Sequence, residues 1–102
     1  MGSQAVLKAL AEPNRQAILK LIKDRPHSAG EIGEHFDISQ QAVSQHLQIL
    51  AEAGLVQVQR DGKRRLYVVE PDGLAVLERF LDELWPSGLR RLKRAVESRR
   101  GR

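Results

Sequence analysis

The chain has 102 residues, 17 Lys and Arg against 13 Asp and Glu, a net charge of +4 and no cysteine. That composition excludes a disulfide framework and thiolate metal sites, and no apolar run approaches the ~20 residues that span a bilayer. The opening Met-Gly-Ser-Gln lacks the basic-then-apolar pattern of a secretory signal, so a soluble, cytoplasmic protein without a membrane role is expected.

The length suits one domain, over 1–98, with a modest core that dimerisation would help. Its charge is uneven: residues 1–86 carry −2 and residues 87–102 carry +6. A basic end attracts phosphates. It serves equally as a solvated tail, and 99–102 reads as one that frays.

Residues 3–11 predict a short helix with Val6, Leu7 and Leu10 on one side. It is too short to stand alone and needs a partner surface. Pro13 fits the first turn of a second helix, where its missing N–H costs nothing. That helix is expected to run to about Asp24, with Ile18, Leu21 and Ile22 inward and Arg15, Lys20 and Lys23 outside. Ser28-Ala29-Gly30-Glu31 is a capping box, opening a helix that reaches His35 or Phe36 with Ile32 and Phe36 inward.

The stretch Ile38–Leu55 is the most informative. Ser39 is a good N-cap, Ile38 and Val43 can form a hydrophobic staple, and Gly54 supplies a left-handed stop. At about 100° per residue Val43, Leu47 and Leu50 share one face, while Gln41, Ser44, Gln45 and Gln48 share the opposite one. That outer face carries no charge. Solvated helix faces usually carry Lys and Glu, whereas glutamine amides pair with adenine in a bidentate way and hydroxyls donate or accept. Two helices joined by a tight turn over 28–53 are the ingredients of a helix-turn-helix, with Ser39, Gln40, Gln41, Ser44, Gln45, His46 and Gln48 as the DNA-reading set. An amphipathic core helix with a glutamine-rich outside has the same pattern. For His46 the two roles are packing at the helix-turn-helix edge or touching a phosphate.

After Gly54 the period changes to two. Residues 55–59 alternate, Arg60-Asp61-Gly62-Lys63 is an Asp-Gly turn signal, and 64–69 return as a second strand. This wing, 55–69, carries Arg60, Lys63, Arg64 and Arg65 near its tip. With Tyr67 they are candidates for holding phosphates; a hairpin kept soluble by charge would look similar. Pro71-Asp72 opens a final helical pattern over 72–98, kinked or broken at Pro86 and Gly88. Leu77, Leu81, Leu84, Trp85, Leu89 and Leu92 exceed what a three-helix core needs. With Val6, Leu7 and Leu10 they form the expected dimer surface, unless they bury against their own chain. The predicted fold is mainly α with a small β-hairpin: a winged helix-turn-helix dimerising through its N- and C-terminal helices.

The chain resembles the ArsR family of bacterial winged-helix regulators over nearly its whole length. The resemblance is carried by Leu-Lys-Ala-Leu-Ala-Glu-Pro-Asn-Arg-Gln-Ala-Ile-Leu at 7–19, Ser-Gln-Gln-Ala-Val-Ser-Gln-His-Leu-Gln-Ile-Leu at 39–50, Gly-Leu-Val at 54–56 and Arg-Asp-Gly-Lys-Arg-Arg-Leu-Tyr at 60–67. It implies a homodimer of first and last helices that represses from an inverted-repeat operator and often controls its own promoter. Many relatives sense metals, and here the sequence departs. The family's cysteine positions align with Ser28 and Gly30, and its last-helix ligand positions with Pro71, Gly73, Leu84 and Ser87, none a good zinc ligand. His27, His35 and His46 include no i, i+4 pair. No metal site, cofactor or catalytic residue is therefore expected; the partners are double-stranded DNA and a second copy, with any inducer unknown. A ligand-responsive repressor with a non-cysteine site and a protein-interaction module are the alternatives. An enzyme has no support, as there is no Gly-rich phosphate loop after a strand and no cysteine nucleophile.

Overall fold

The computed structural model describes residues 2–85. Seven elements follow one another: α1 (Ser3–Leu10), α2 (Pro13–Ile22), α3 (Ala29–Gly33), α4 (Gln40–Glu52), β1 (Val56–Asp61), β2 (Arg64–Val69) and α5 (Pro71–Leu84). The predicted winged helix-turn-helix is the observed fold. The expected resumption of the last helix through Leu89, Leu92 and 98, and the 99–102 tail, lie outside the described residues.

Two helices open by the same device. Glu12 precedes Pro13 and Glu70 precedes Pro71. A residue before proline is pushed out of the α region, and both glutamates are extended, at φ −107°, ψ 125° and φ −103°, ψ 114°. Each is thus set as an N-cap. Glu12 Oε2 accepts from the Arg15 N–H at 3.1 Å and Glu70 Oε1 from the Asp72 N–H at 3.2 Å. Trp85, the residue before Pro86 in the sequence, leaves the helical region (φ −136°, ψ 87°), so the helix stops at Leu84, two residues before the expected break at Pro86.

Other boundaries are tighter than the periodicity suggests. Helix α2 ends at Ile22 rather than Asp24, and α3 at Gly33 rather than His35 or Phe36. Five residues cannot hold a helix by themselves. Helix α3 survives because Ser28 and Glu31 close a reciprocal capping box (3.1 and 2.8 Å) and Ile32 is wholly buried.

The core is one cluster. Val6 and Ala9 of α1, Ile18 and Ile22 of α2, Ile32 of α3, and Val43, Leu47 and Leu50 of α4 meet Ala53, Leu55 and Val56. Helix α4 ends on Gly54 at φ +77°, with the Gly54 N–H donating to the Ala51 carbonyl and the Leu55 N–H to the Leu50 carbonyl. These paired bonds close a helix on a left-handed glycine and leave the flanking Leu50 and Leu55 buried.

The hairpin pairs Val56 with Val69 through Asp61 with Arg64. The first strand therefore runs two residues further toward the tip than expected, the second spans the expected 64–69, and only Gly62 and Lys63 form the loop. Within the hairpin only Gly62 has positive φ (+65°), the pattern of a loop with glycine at its first central position rather than the Asp-Gly turn expected. His27 adds a bridge on the outer edge of β2: its N–H donates to the Tyr67 carbonyl and the Tyr67 N–H donates back at 2.7 Å. Its imidazole is buried, with Nδ1 donating to the Arg25 carbonyl at 2.9 Å.

Helix α5 folds back onto α1, and its first turn meets the α4 corner. A Cβ on Gly73 would stand 2.5 Å from the Gly54 carbonyl oxygen, whereas one on Gly30 would meet nothing closer than 3.9 Å. Gly73→Ala should therefore destabilise the fold by about 1–3 kcal/mol, as overpacking against backbone does. Gly30→Ala, within a helix, should be neutral or stabilising by up to about 1 kcal/mol. Urea titration of both variants checks the contrast; equal effects would mean that α5 does not sit against Gly54.

Candidate nucleic-acid interface

The interface is built on α4. Ser39 caps it, its Oγ accepting from the Ala42 N–H at 3.0 Å. Burial of Val43, Leu47 and Leu50 fixes the helix's rotation, and Gln41, Ser44, Gln45 and Gln48 consequently face outward. Each is exposed, and among the described residues none of the four side chains makes a hydrogen bond. They form an uncharged row of free donors and acceptors.

Besides Ser39, taken up as the cap, two members of the expected reading set are occupied elsewhere. Gln40 turns back across the helix-turn-helix, its Nε2 donating to the Ala29 carbonyl at 3.0 Å, and its Oε1 lies where a Cβ on Gly33 would be. Gly33 leaves room for that tie between α3 and α4. His46 is half-buried on the far side of α4. Its Nδ1 lies 3.3 Å from Arg15 Nη1 and 3.8 Å from Glu12 Oε2. Of the two roles considered for His46, the position is that of packing.

Arg15, expected outside, is the organiser of that corner. Its Nε donates to the Ala9 carbonyl at 2.7 Å and Nη2 to the Lys8 carbonyl at 3.2 Å, satisfying the end of α1. Gln16 Nε2 donates to the Leu10 carbonyl at 2.6 Å. No local pattern announces these bonds, since the Arg15 head reaches across from α2 to a second helix and then to His46 on a third.

The wing's cations divide by strand alternation. Arg60 and Arg65 stand directly opposite each other on the ribbon face that also carries Val58 and Tyr67. Arg64 faces the other way, and its Nη2 donates to Glu31 Oε1 at 3.0 Å. It was expected to hold phosphate; here it braces the ribbon against the α3 capping box. Lys63 is exposed in the loop. Tyr67, the remaining phosphate candidate, is half-buried, because its strand position sits opposite Val58 and beside His27. Between ribbon and helix lies a hollow of about 340 Å³ lined by Ser44, Leu47, Gln48, Ala51, Val58, Arg65 and Tyr67.

The expected dimer residues also separate. Val6 is fully buried in its own chain and is a core residue, not a surface one. Leu7 and Leu81 are half-buried; Leu10 and Leu77 pack against the core. Leu84 and Trp85 remain 60% and 54% exposed, and Leu74, absent from the expected set, is 45% exposed on the same helix. Leu89 and Leu92 lie outside the described residues. Among the described residues no group of three or more His, Asp or Glu side chains is placed to hold a metal ion.

Comparison with known proteins points the same way. A helix-turn-helix domain family model matches residues 10–59. The chain is 37% identical over 91 residues to the HTH-type transcriptional regulator Rv2034 of Mycobacterium tuberculosis, covering 89% of this chain and 85% of that protein. Among solved structures it resembles a possible transcriptional regulator for arsenical resistance (TM-score 0.70, 38% identity, 88% of this chain and 94% of that one). It also resembles the homodimeric winged helix-turn-helix domain of Mb0332 from Mycobacterium bovis, a possible ArsR-family regulator (TM-score 0.65, 27% identity, 82% and 78%).

Glu31 joins the capping box to the wing, and its carboxyl is held below the usual carboxylate range. The backbone N–H of Ser28 contributes most; partial desolvation opposes it, and the Ser28 hydroxyl, Arg64 and Arg25 lower it further. A carboxylate with a lowered folded-state pKa stabilises the fold above its unfolded pKa and loses that contribution as pH falls through the folded value. Glu31→Gln should therefore lower the urea midpoint at neutral pH, with the two proteins converging in acid. A gap that persists undiminished in acid would show that charge is not what Glu31 supplies.

Proposed function

Since the chain belongs to the ArsR family of winged helix-turn-helix transcriptional regulators, we propose that it is a cytoplasmic homodimeric repressor of an inverted-repeat operator, its own promoter included. Its relatives are regulators rather than enzymes. The observation that carries the reading is the free, uncharged row Gln41, Ser44, Gln45 and Gln48 on a helix flanked by a cationic ribbon. Glutamine amides discriminate base edges in the major groove; a row of lysines would grip any sequence alike.

Two such helices, one per protomer, enter successive major grooves about 34 Å apart. The exposed Leu74, Leu84 and Trp85 supply apolar surface for the second copy, and the homodimeric state of Mb0332 supports the pairing. Ser39 and Gln40 act at the helix entrance as cap and tie. Arg60, Lys63 and Arg65 hold phosphates. Repression follows where the operator overlaps a promoter and the bound dimer excludes polymerase. With Ser28 and Gly30 in place of cysteines, the protein works without the family's thiolate sensor site.

Gln45→Ala should weaken a specific site by about 1–3 kcal/mol and relax base preference at one position per half-site, with little change on random DNA. Selection of bound genomic fragments followed by titration measures both. Equal loss on specific and random DNA would remove Gln45 from the reading role.

A further inference from the structure

We propose that His46 is a positioning residue for operator reading: its Nδ1, set between Arg15 and Glu12, gauges the first helix against the reading helix and makes operator affinity fall in acid. The proposal rests on the homodimeric DNA-binding reading above and adds how the spacing of the two reading helices is held and released.

Three observations carry it. The first is where one ring nitrogen stands. Nδ1 lies 3.3 Å from Arg15 Nη1 and 3.8 Å from Glu12 Oε2, in a side chain only 17% exposed. A guanidinium only donates and a carboxylate only accepts. A neutral ring can offer a bare Nδ1 to Arg15. A charged ring has a proton on both nitrogens and nothing left for Arg15 to donate to. Histidine ordinarily changes charge between about pH 5 and 8, so acid exchanges the partner: the charged ring is repelled by Arg15 and drawn to Glu12.

The second is what Arg15 holds. Its Nε donates to the Ala9 carbonyl at 2.7 Å and its Nη2 to the Lys8 carbonyl at 3.2 Å, so the head that meets the ring is fastened to the end of α1. Helix α5 folds back onto α1 and carries the exposed Leu74 and Leu84, with Trp85 at its end, the surface given above to the second copy. The buried stripe of α4 fixes its rotation. Releasing Arg15 therefore shifts α1 and α5, and through them the distance between the two reading helices. The third is isolation. Among the described residues no other hydrogen bond or ion pair engages the ring. Lys8 of α1 is exposed and gives Arg15 only its carbonyl, and Glu52 lies at the far end of α4. Elements α3 and β1 also pack on α4, but Glu31 is taken by Ser28 and Arg64, and Arg60 and Asp61 stand at the hairpin end.

The test compares affinity for the full inverted-repeat operator with that for an isolated half-site, using the full chain at about pH 7.5 and about pH 5.5, on either side of histidine titration. Acid adds positive charge to the whole protein and strengthens phosphate binding on both duplexes; the ratio of the two affinities removes that effect. In wild type the ratio of full-site to half-site affinity should fall about three- to tenfold in acid, the scale of one hydrogen bond. His46→Gln, whose amide oxygen accepts from Arg15 without titrating, should keep the neutral ratio within about twofold and hold it in acid. Its melting temperature checks the fold, and His35→Gln should fall as wild type does. Because linkage is reciprocal, the His46 ring of wild type should also titrate at lower pH on the full site than on the half-site, which proton NMR reads without any substitution. A wild-type ratio that stays level or rises in acid, or a ring titration indifferent to the full site, overturns the gauge and leaves the repressor reading standing. A fall that persists in folded His46→Gln gives the effect to another group and likewise overturns the gauge. Failure of wild type to prefer any duplex at neutral pH overturns both.

Discussion

Burial of Val43, Leu47 and Leu50 is the constraint from which the interface follows. A fully buried aliphatic side chain is worth roughly 1.5–3 kcal/mol, and three on one stripe fix the rotation of α4 about its axis. Turning the helix by one residue would expose all three. With that rotation fixed, Gln41, Ser44, Gln45 and Gln48 face outward at helical spacing. Ser39 sets where the helix begins and Gly54 where it ends. The same apolar contacts that hold the domain together therefore aim this outward row of side chains, and no separate device is needed to orient them.

Around α4 the structure is braced by polar ties of long sequence separation. Gln40 binds the turn to α3, Glu31 holds Arg64 on the wing, and Arg15 joins the end of α1 to His46. Each is at least partly solvated, so each is individually modest in energy. Their contribution is geometric: they set where the wing and the first helix stand relative to the reading face. Two side chains that look like DNA ligands in the sequence, Gln40 and Arg64, belong to this group.

The legible parts of the chain were those governed by local rules. The capping box at Ser28, the cap at Ser39, the stop at Gly54 and the opening at Pro71 each depend on residues within one turn, and each appears where the pattern puts it. Strand alternation likewise gives the hairpin and its faces. What was not legible depends on residues that meet only after folding. Nothing in the spacing of Arg15 reveals that it will satisfy α1 carbonyls. A four-cation count cannot say which cation faces Glu31. Val6 reads as a surface residue because its apolar stripe is the same whether it is covered by its own chain or by another. One signal was available and unused: Gly73 inside a helical pattern flags a close backbone approach, and Gly54 is what it approaches.

The row on α4 has one more property. Its four side chains lean on nothing in the described chain, neither packed into the core nor drawn into the polar ties. Exchanging such residues usually moves stability by no more than about 0.5 kcal/mol. If the row reads bases as proposed, its target words can thus be rewritten over evolutionary time while the hand that holds the page stays the same. A lineage of duplicated copies could acquire separate target sites through this strip alone, with no repair needed elsewhere in the molecule.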